Sequence, residues 1–201
     1  MYTLLKPLQV RNKLISQKIH ILTPQIFSQL FDTNKTTTKH FLETHVKSDL
    51  FTRLKKGLYA LKTDPPTEEE IANQLYKPSY ISFEYALSFY GLLPEMPYTI
   101  TSATTKPTRN FTIDSQLFSY RTIKKEIYTG YSLLKQNNRS FFMADQEKAY
   151  LDYLYFVFLG KNPSNDRLFN LAKGKINKKK LQLYLLSFKN PKFSKFVEAL
   201  L

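Results

Sequence analysis

Asp64-Pro65-Pro66-Thr67 constrains this chain more than any other stretch. Two successive prolines force an extended approach and stop any helix arriving from the N-terminal side. Thr67 can then cap a new helix that opens with Glu68, Glu69 and Glu70, three carboxylates suited to the positive end of its dipole. The break divides the 201 residues into a short segment, 1–62, and a longer one, 67–201. Charge divides there too. The first segment sets eleven basic residues against three acidic ones, whereas everything after residue 62 sets nineteen against thirteen. The formal surplus of +14 is therefore densest in the first 62 residues, and such a concentration favours a polyanionic partner through attraction and counterion release.

Within that segment the apolar spacing predicts three short helices and a hairpin. Leu5, Leu8, Leu14, Ile15 and Ile19 suit a first helix, despite Pro7. Thr23-Pro24 opens a second, with the threonine as cap and the proline where a missing N–H costs nothing. Asp32-Thr33-Asn34 makes a tight turn into a third, whose inward face is expected at Thr37, Phe41, Leu42, His45 and Val46. Residues 49–54 then alternate like a strand, Lys55-Lys56-Gly57 turns, and Leu58-Tyr59-Ala60-Leu61 returns. A helix-turn-helix followed by a hairpin is the order of a winged helix that binds double-stranded DNA. On this reading Thr36 and Thr38 meet base edges, and Lys35 and Lys39 meet guanine or phosphate. Arg53, Lys55 and Lys56, on the wing, hold the backbone.

The longer segment reads as a second α+β domain with a small sheet and flanking helices. Helices are expected over residues 68–76 and 82–90, the latter closed by Gly91. Strands are expected over 98–104, 111–113, 118–121, 127–130 and 140–143. A further helix runs from 144 to about 159, with Asp145 or Ala144 as its cap. Residues 172–195 carry eight lysines and no acid around a stripe of Leu181, Tyr184, Leu185 and Phe188, which predicts one amphipathic helix. Its cationic face suits flanking DNA, an acidic protein or RNA.

Enzyme chemistry finds little support. Cysteine is absent, which removes disulfides and thiolate metal sites and suits the cytoplasm. The three histidines all lie in the first segment, and His40 and His45 are not stacked on one helix face. No metal site, cofactor or catalytic residue is expected, and a nucleic-acid-modifying enzyme acting through Asp145 and Asp152 is the weakest alternative. No signal peptide is expected at the start, nor a span long enough for a bilayer.

The order of segments resembles the AbiEi antitoxin family of bacterial abortive-infection, type IV toxin–antitoxin systems. The resemblance is carried by Phe51-Thr52-Arg53-Leu54-Lys55-Lys56-Gly57-Leu58-Tyr59, and more specifically by Tyr80-Ile81-Ser82-Phe83-Glu84-Tyr85-Ala86-Leu87 through Gly91-Leu92-Leu93-Pro94-Glu95. Tyr98-Thr99-Ile100-Thr101-Ser102-Ala103-Thr104, Phe118-Ser119-Tyr120 and Asp145-Gln146-Glu147-Lys148-Ala149-Tyr150-Leu151-Asp152 complete it, over roughly residues 20–160. It implies a repressor that binds inverted repeats at its own promoter, as monomer or dimer, and counters a nucleotidyltransferase-like toxin without a stable complex. A C-terminal functional patch is then expected at Thr104, Thr105, Lys106 and Arg109, with Lys178 and Lys179 on the lysine-rich helix. A stand-alone winged-helix regulator without a toxin is the other reading.

Overall fold

The structure, a computed structural model, describes residues 5–200. Met1–Leu4 and Leu201, the outer ends of the two expected segments, lie outside the described residues. The chain separates into two compact units, 1–75 and 76–201. The break between units thus falls one helix after the prolines.

In the first unit, helix α1 (Pro7–Ser16) begins on Pro7, where the absent N–H is no loss. A two-residue strand β1 (Ile21–Leu22), which the sequence pattern does not announce, precedes α2 (Pro24–Phe31). Thr23 caps α2 by accepting from Ile26 N at 3.3 Å, and Asp32 closes it in the left-handed region. Two residues on, Asn34 caps α3 (Lys35–Lys47) by accepting from Thr37 N at 2.8 Å. Strands β2 (Phe51–Lys55) and β3 (Leu58–Leu61) form a hairpin that turns at Lys56-Gly57, and the sheet runs β1-β3-β2, all antiparallel. Val10, Leu14, Leu22, Phe27, Phe41 and Leu42 close the core against Phe51, Tyr59 and Leu61. Each such side chain contributes about 1.5–3 kcal/mol when fully buried. Helix α4 (Glu68–Leu75) belongs to this unit; Thr67 accepts from Glu70 N while Glu70 accepts from Thr67 N, a reciprocal cap.

The second unit is built on a mixed six-stranded sheet in the order β6-β7-β5-β4-β9-β8. Its strands are β4 (Ser79–Ile81), β5 (Thr99–Thr104), β6 (Arg109–Ile113), β7 (Gln116–Thr122), β8 (Tyr131–Gln136) and β9 (Arg139–Ala144). β5 lies parallel to β7 and β4 parallel to β9; the other pairs are antiparallel. Helix α5 (Phe83–Phe89) packs on β5, and α6 (Gln146–Phe158) packs on α5. The strand expected at 127–130 is instead a 3-10 turn, Lys125–Ile127, and a loop. The reason is Gly130, at φ +74°: a Cβ there would stand 3.0 Å from Lys148 Cγ and from Tyr184 Cε1, so both the conformation and the space require glycine.

The lysine-rich C-terminal stretch is three helices rather than one. α7 (Asp166–Lys175), α8 (Lys178–Leu186) and α9 (Pro191–Glu198) are separated by asparagine caps: Asn177 accepts from Lys180 N, and Asn190 accepts from Lys192 N and Phe193 N with Pro191 in the first turn. Asparagine competes for backbone donors at just these points, and the apolar stripe alone does not register the interruption. Among the described residues no helix is long and apolar enough to cross a membrane.

Candidate nucleic-acid interface and the buried ion pair

Helix α3 presents its cations as expected, and Phe41, Leu42 and Val46 face the core as expected; at its start, however, Thr38 and not Thr37 is the inward threonine. Thr38, expected at a base edge, is 1% exposed, and its hydroxyl lies 2.7 Å from that of Thr33. Thr37, expected inward, is exposed. Phe41 and Leu42, buried as expected, carry Thr38 inward with them, three and four residues upstream. Lys35, Thr36 and Lys39 remain exposed, and the same outer face continues through His40, Glu43, Thr44 and Lys47. The sequence reading missed His40, Thr44 and Lys47; their spacing from Thr36, on the face opposite Phe41 and Leu42, was the signal.

The hairpin brings Arg53 to this face. His40, Glu43, Thr44 and Lys47 line one groove together with Arg53 and Tyr59. Lys56 is exposed at the turn. Lys55, by contrast, leaves the expected phosphate-binding set: its amine donates to the carbonyl of Leu75, the last residue of α4, where a cation also meets the negative end of the helix dipole.

The electrostatics of α3 are one-sided. Its first turn holds no acid and begins with Lys35, whereas α4 opens on three glutamates. Beyond the Asn34 cap, no carboxylate of the helix's own first turn offsets the positive end of the α3 dipole. Next to this face, burial and, second, the neighbouring His40 push the His45 imidazole below its ordinary value. The His45 ring packs 4.1 Å from Phe41, and its Nδ1 lies 2.9 Å from Ser48 Oγ, so His45 belongs to the helix's support.

The expected C-terminal patch does not form one surface. Thr104 is fully buried; its hydroxyl donates to Pro78 O at 2.7 Å and accepts from Lys106 N at 3.2 Å. It holds β5 to the start of β4, and the assignment of Thr104 to a functional surface is corrected accordingly. Thr105 is half-buried. Lys106 and Arg109 are exposed and share the Tyr76 ring, at 5.4 and 6.0 Å, with Arg109 also 5.5 Å from the Phe111 ring. Lys178 and Lys179 are exposed on α8, a helix that packs against α6. Thr104→Val is expected to lower stability by about 1–2 kcal/mol, through lost hydrogen bonds, while leaving duplex affinity unchanged. Urea unfolding and a binding titration on the same sample check both halves.

What the resemblance blocks do build is a buried centre. Tyr80 and Ser82, from β4 and the residue after it, donate to Asp152 Oδ2 at 3.0 and 2.8 Å. Asp152 Oδ1 pairs with the ammonium of Lys148, one turn earlier on α6. Both side chains of that pair are at most 1% exposed. The ammonium also faces the rings of Phe188, at 5.2 Å, and Tyr80, at 5.9 Å. Burial, and then the Asp152 carboxylate, push the Tyr80 phenol well above its ordinary value, so it stays a neutral donor. Asp152 therefore has no open side for a substrate. Asp145 does not cap α6 with its side chain, as had been expected; its carboxylate accepts from Tyr184 OH at 2.6 Å and pairs with Lys180 at 2.9 Å. Burial works against the Lys180 charge, but Asp145 and Glu147 outweigh it and raise the amine above its ordinary value.

No protein-family model matches this chain, and no curated protein matches it.

Proposed function

We propose that this chain is a sequence-specific double-stranded DNA-binding repressor of the AbiEi antitoxin kind, with its first unit acting as a winged helix. The observation that carries the reading is the shared groove, where Lys47 and His40 of α3 and Arg53 of the hairpin meet beside exposed Lys35, Thr36 and Lys39. The element order supports it as well: α1, β1, α2, a three-residue link, α3, then β2 and β3 is compatible with a helix-turn-helix followed by a wing. α3 would enter the major groove and Lys56 would follow the adjoining backbone. Repression of the chain's own promoter at inverted repeats, and relief of a nucleotidyltransferase-like toxin, come from the resemblance. Two of the stretches that carry it, 80–95 and 145–152, meet at Asp152 through Tyr80, Ser82 and Lys148.

The test is a titration of labelled duplex from upstream of the gene against purified full-length chain. With six to ten phosphate contacts, affinity is expected to fall about 10³–10⁵-fold between about 50 and 200 mM salt. Absence of binding at the lower salt overturns the proposal. Co-expression with an adjacent nucleotidyltransferase-like gene tests the antitoxin half: growth arrest that this chain fails to relieve leaves a regulator without a toxin.

A further inference from the structure

The second unit carries an apolar groove that nothing above uses. Leu183 and Leu186, on α8, are 66% and 74% exposed. Together with Lys179 they form a stripe at helical spacing, and they wall a groove whose opposite side is Ser194 and Glu198 of α9, with Leu185 also in its lining. Exposed leucines set together in a concave surface, with a small serine facing them, mark a contact site rather than ordinary surface. The lining itself holds one lysine and one glutamate, but the charge on the two helices and their link is predominantly positive. Lys178, Lys179, Lys189, Lys192 and Lys195 are all exposed on the two helices and their link, and Glu198 is the first acid after Asp166.

We propose that the groove between α8 and α9 docks an acidic, amphipathic helix of a protein partner, its leucine-like face against Leu183 and Leu186 and its carboxylates towards the lysines. Charge complementarity selects the acidic class. Concavity selects a helix over an anionic membrane: a bilayer surface is broad and does not enter a furrow between two helices, whereas a third helix fills one. The inference goes beyond the DNA-binding reading and is independent of it.

The experiment uses the full chain and a fluorescein-labelled peptide of about 16 residues, long enough to form helix on binding, with leucines at i, i+3, i+4 and i+7 and glutamates elsewhere. Anisotropy is followed at about 0.15 M salt, where exposed charges beyond roughly 8 Å are screened. Saturable binding is expected, and Leu183→Ser/Leu186→Ser, at positions already in solvent, should weaken it about tenfold or more while leaving the thermal unfolding midpoint in place. Lys35→Glu/Lys39→Glu should leave it unchanged. The proposal is overturned if the peptide does not bind, if the serine variant binds it as well as the parent, or if a lysine-for-glutamate peptide binds equally. It is also overturned if vesicles of phosphatidylglycerol and phosphatidylcholine, and not the peptide, bind the parent chain and lose the serine variant.

Discussion

Asp152→Asn is expected to lower the stability of the second unit by about 3–5 kcal/mol, because it strands a buried ammonium without a counter-charge. Lys148 has no water to turn to: its side chain is 1% exposed, between the Tyr80 and Phe188 rings and beneath Gly130. The asparagine still offers one oxygen to the Tyr80 and Ser82 hydroxyls, so the loss isolates the charge from the hydrogen bonds. Adding Lys148→Met removes the stranded charge with a side chain of similar length. The double variant is therefore expected to be more stable than Asp152→Asn alone. Hydrogen exchange at amides of β4, β5 and α6 reads the effect within this unit, whatever the first unit does. A loss below about 1 kcal/mol, or strictly additive variants, contradicts the buried-pair argument.

The same pair explains why part of the chain was legible in its sequence and part was not. Local hydrogen-bond chemistry is written in adjacent residues, so Thr23-Pro24, Asn34, the Thr67–Glu70 cap and Gly91 all stand where the sequence reading puts a helix end. Burial depends on what arrives from elsewhere. Lys148 and Asp152 are four apart on one helix and look like a solvent-facing pair; only the packing of β4 and Phe188 against α6 makes them core. Thr104 looks polar and available, yet its hydroxyl is consumed by the Pro78 carbonyl 26 residues away.

One threonine of α3 was misassigned for the same reason. A helix whose exposed and buried threonines are neighbours gives almost no periodic signal, since Thr36, Thr37 and Thr38 differ only in position. Phe41 and Leu42 are inward as their spacing predicts, and their packing with Phe27, whose ring lies 5.2 Å from that of Phe41, selects Thr38 over Thr37. Lys55 shows the complementary limit: a lysine two residues before a hairpin glycine suits a phosphate, and its engagement with the Leu75 carbonyl depends on where α4 folds back.

The groove shared with the hairpin and the engagement of Lys55 change which cations should matter on DNA. Alanine at Lys39, Lys47, Arg53 and Lys56 together is expected to weaken duplex binding about a thousandfold at about 0.15 M salt, since each phosphate contact releases roughly 0.9 counterion. The slope of log affinity against log salt should become shallower by about 3–4 for the same reason. All four side chains are exposed, and none accounts for core packing, so thermal stability should hold. Lys55→Ala makes the informative contrast. Its amine is already bonded to Leu75 O, so the change should cost stability in the first unit and leave the salt slope near the parent value. If Lys55→Ala shifts the slope as much as Arg53→Ala, or the fourfold variant leaves it unchanged, DNA is held by some other surface. The groove shared by α3 and the hairpin then loses its assigned role.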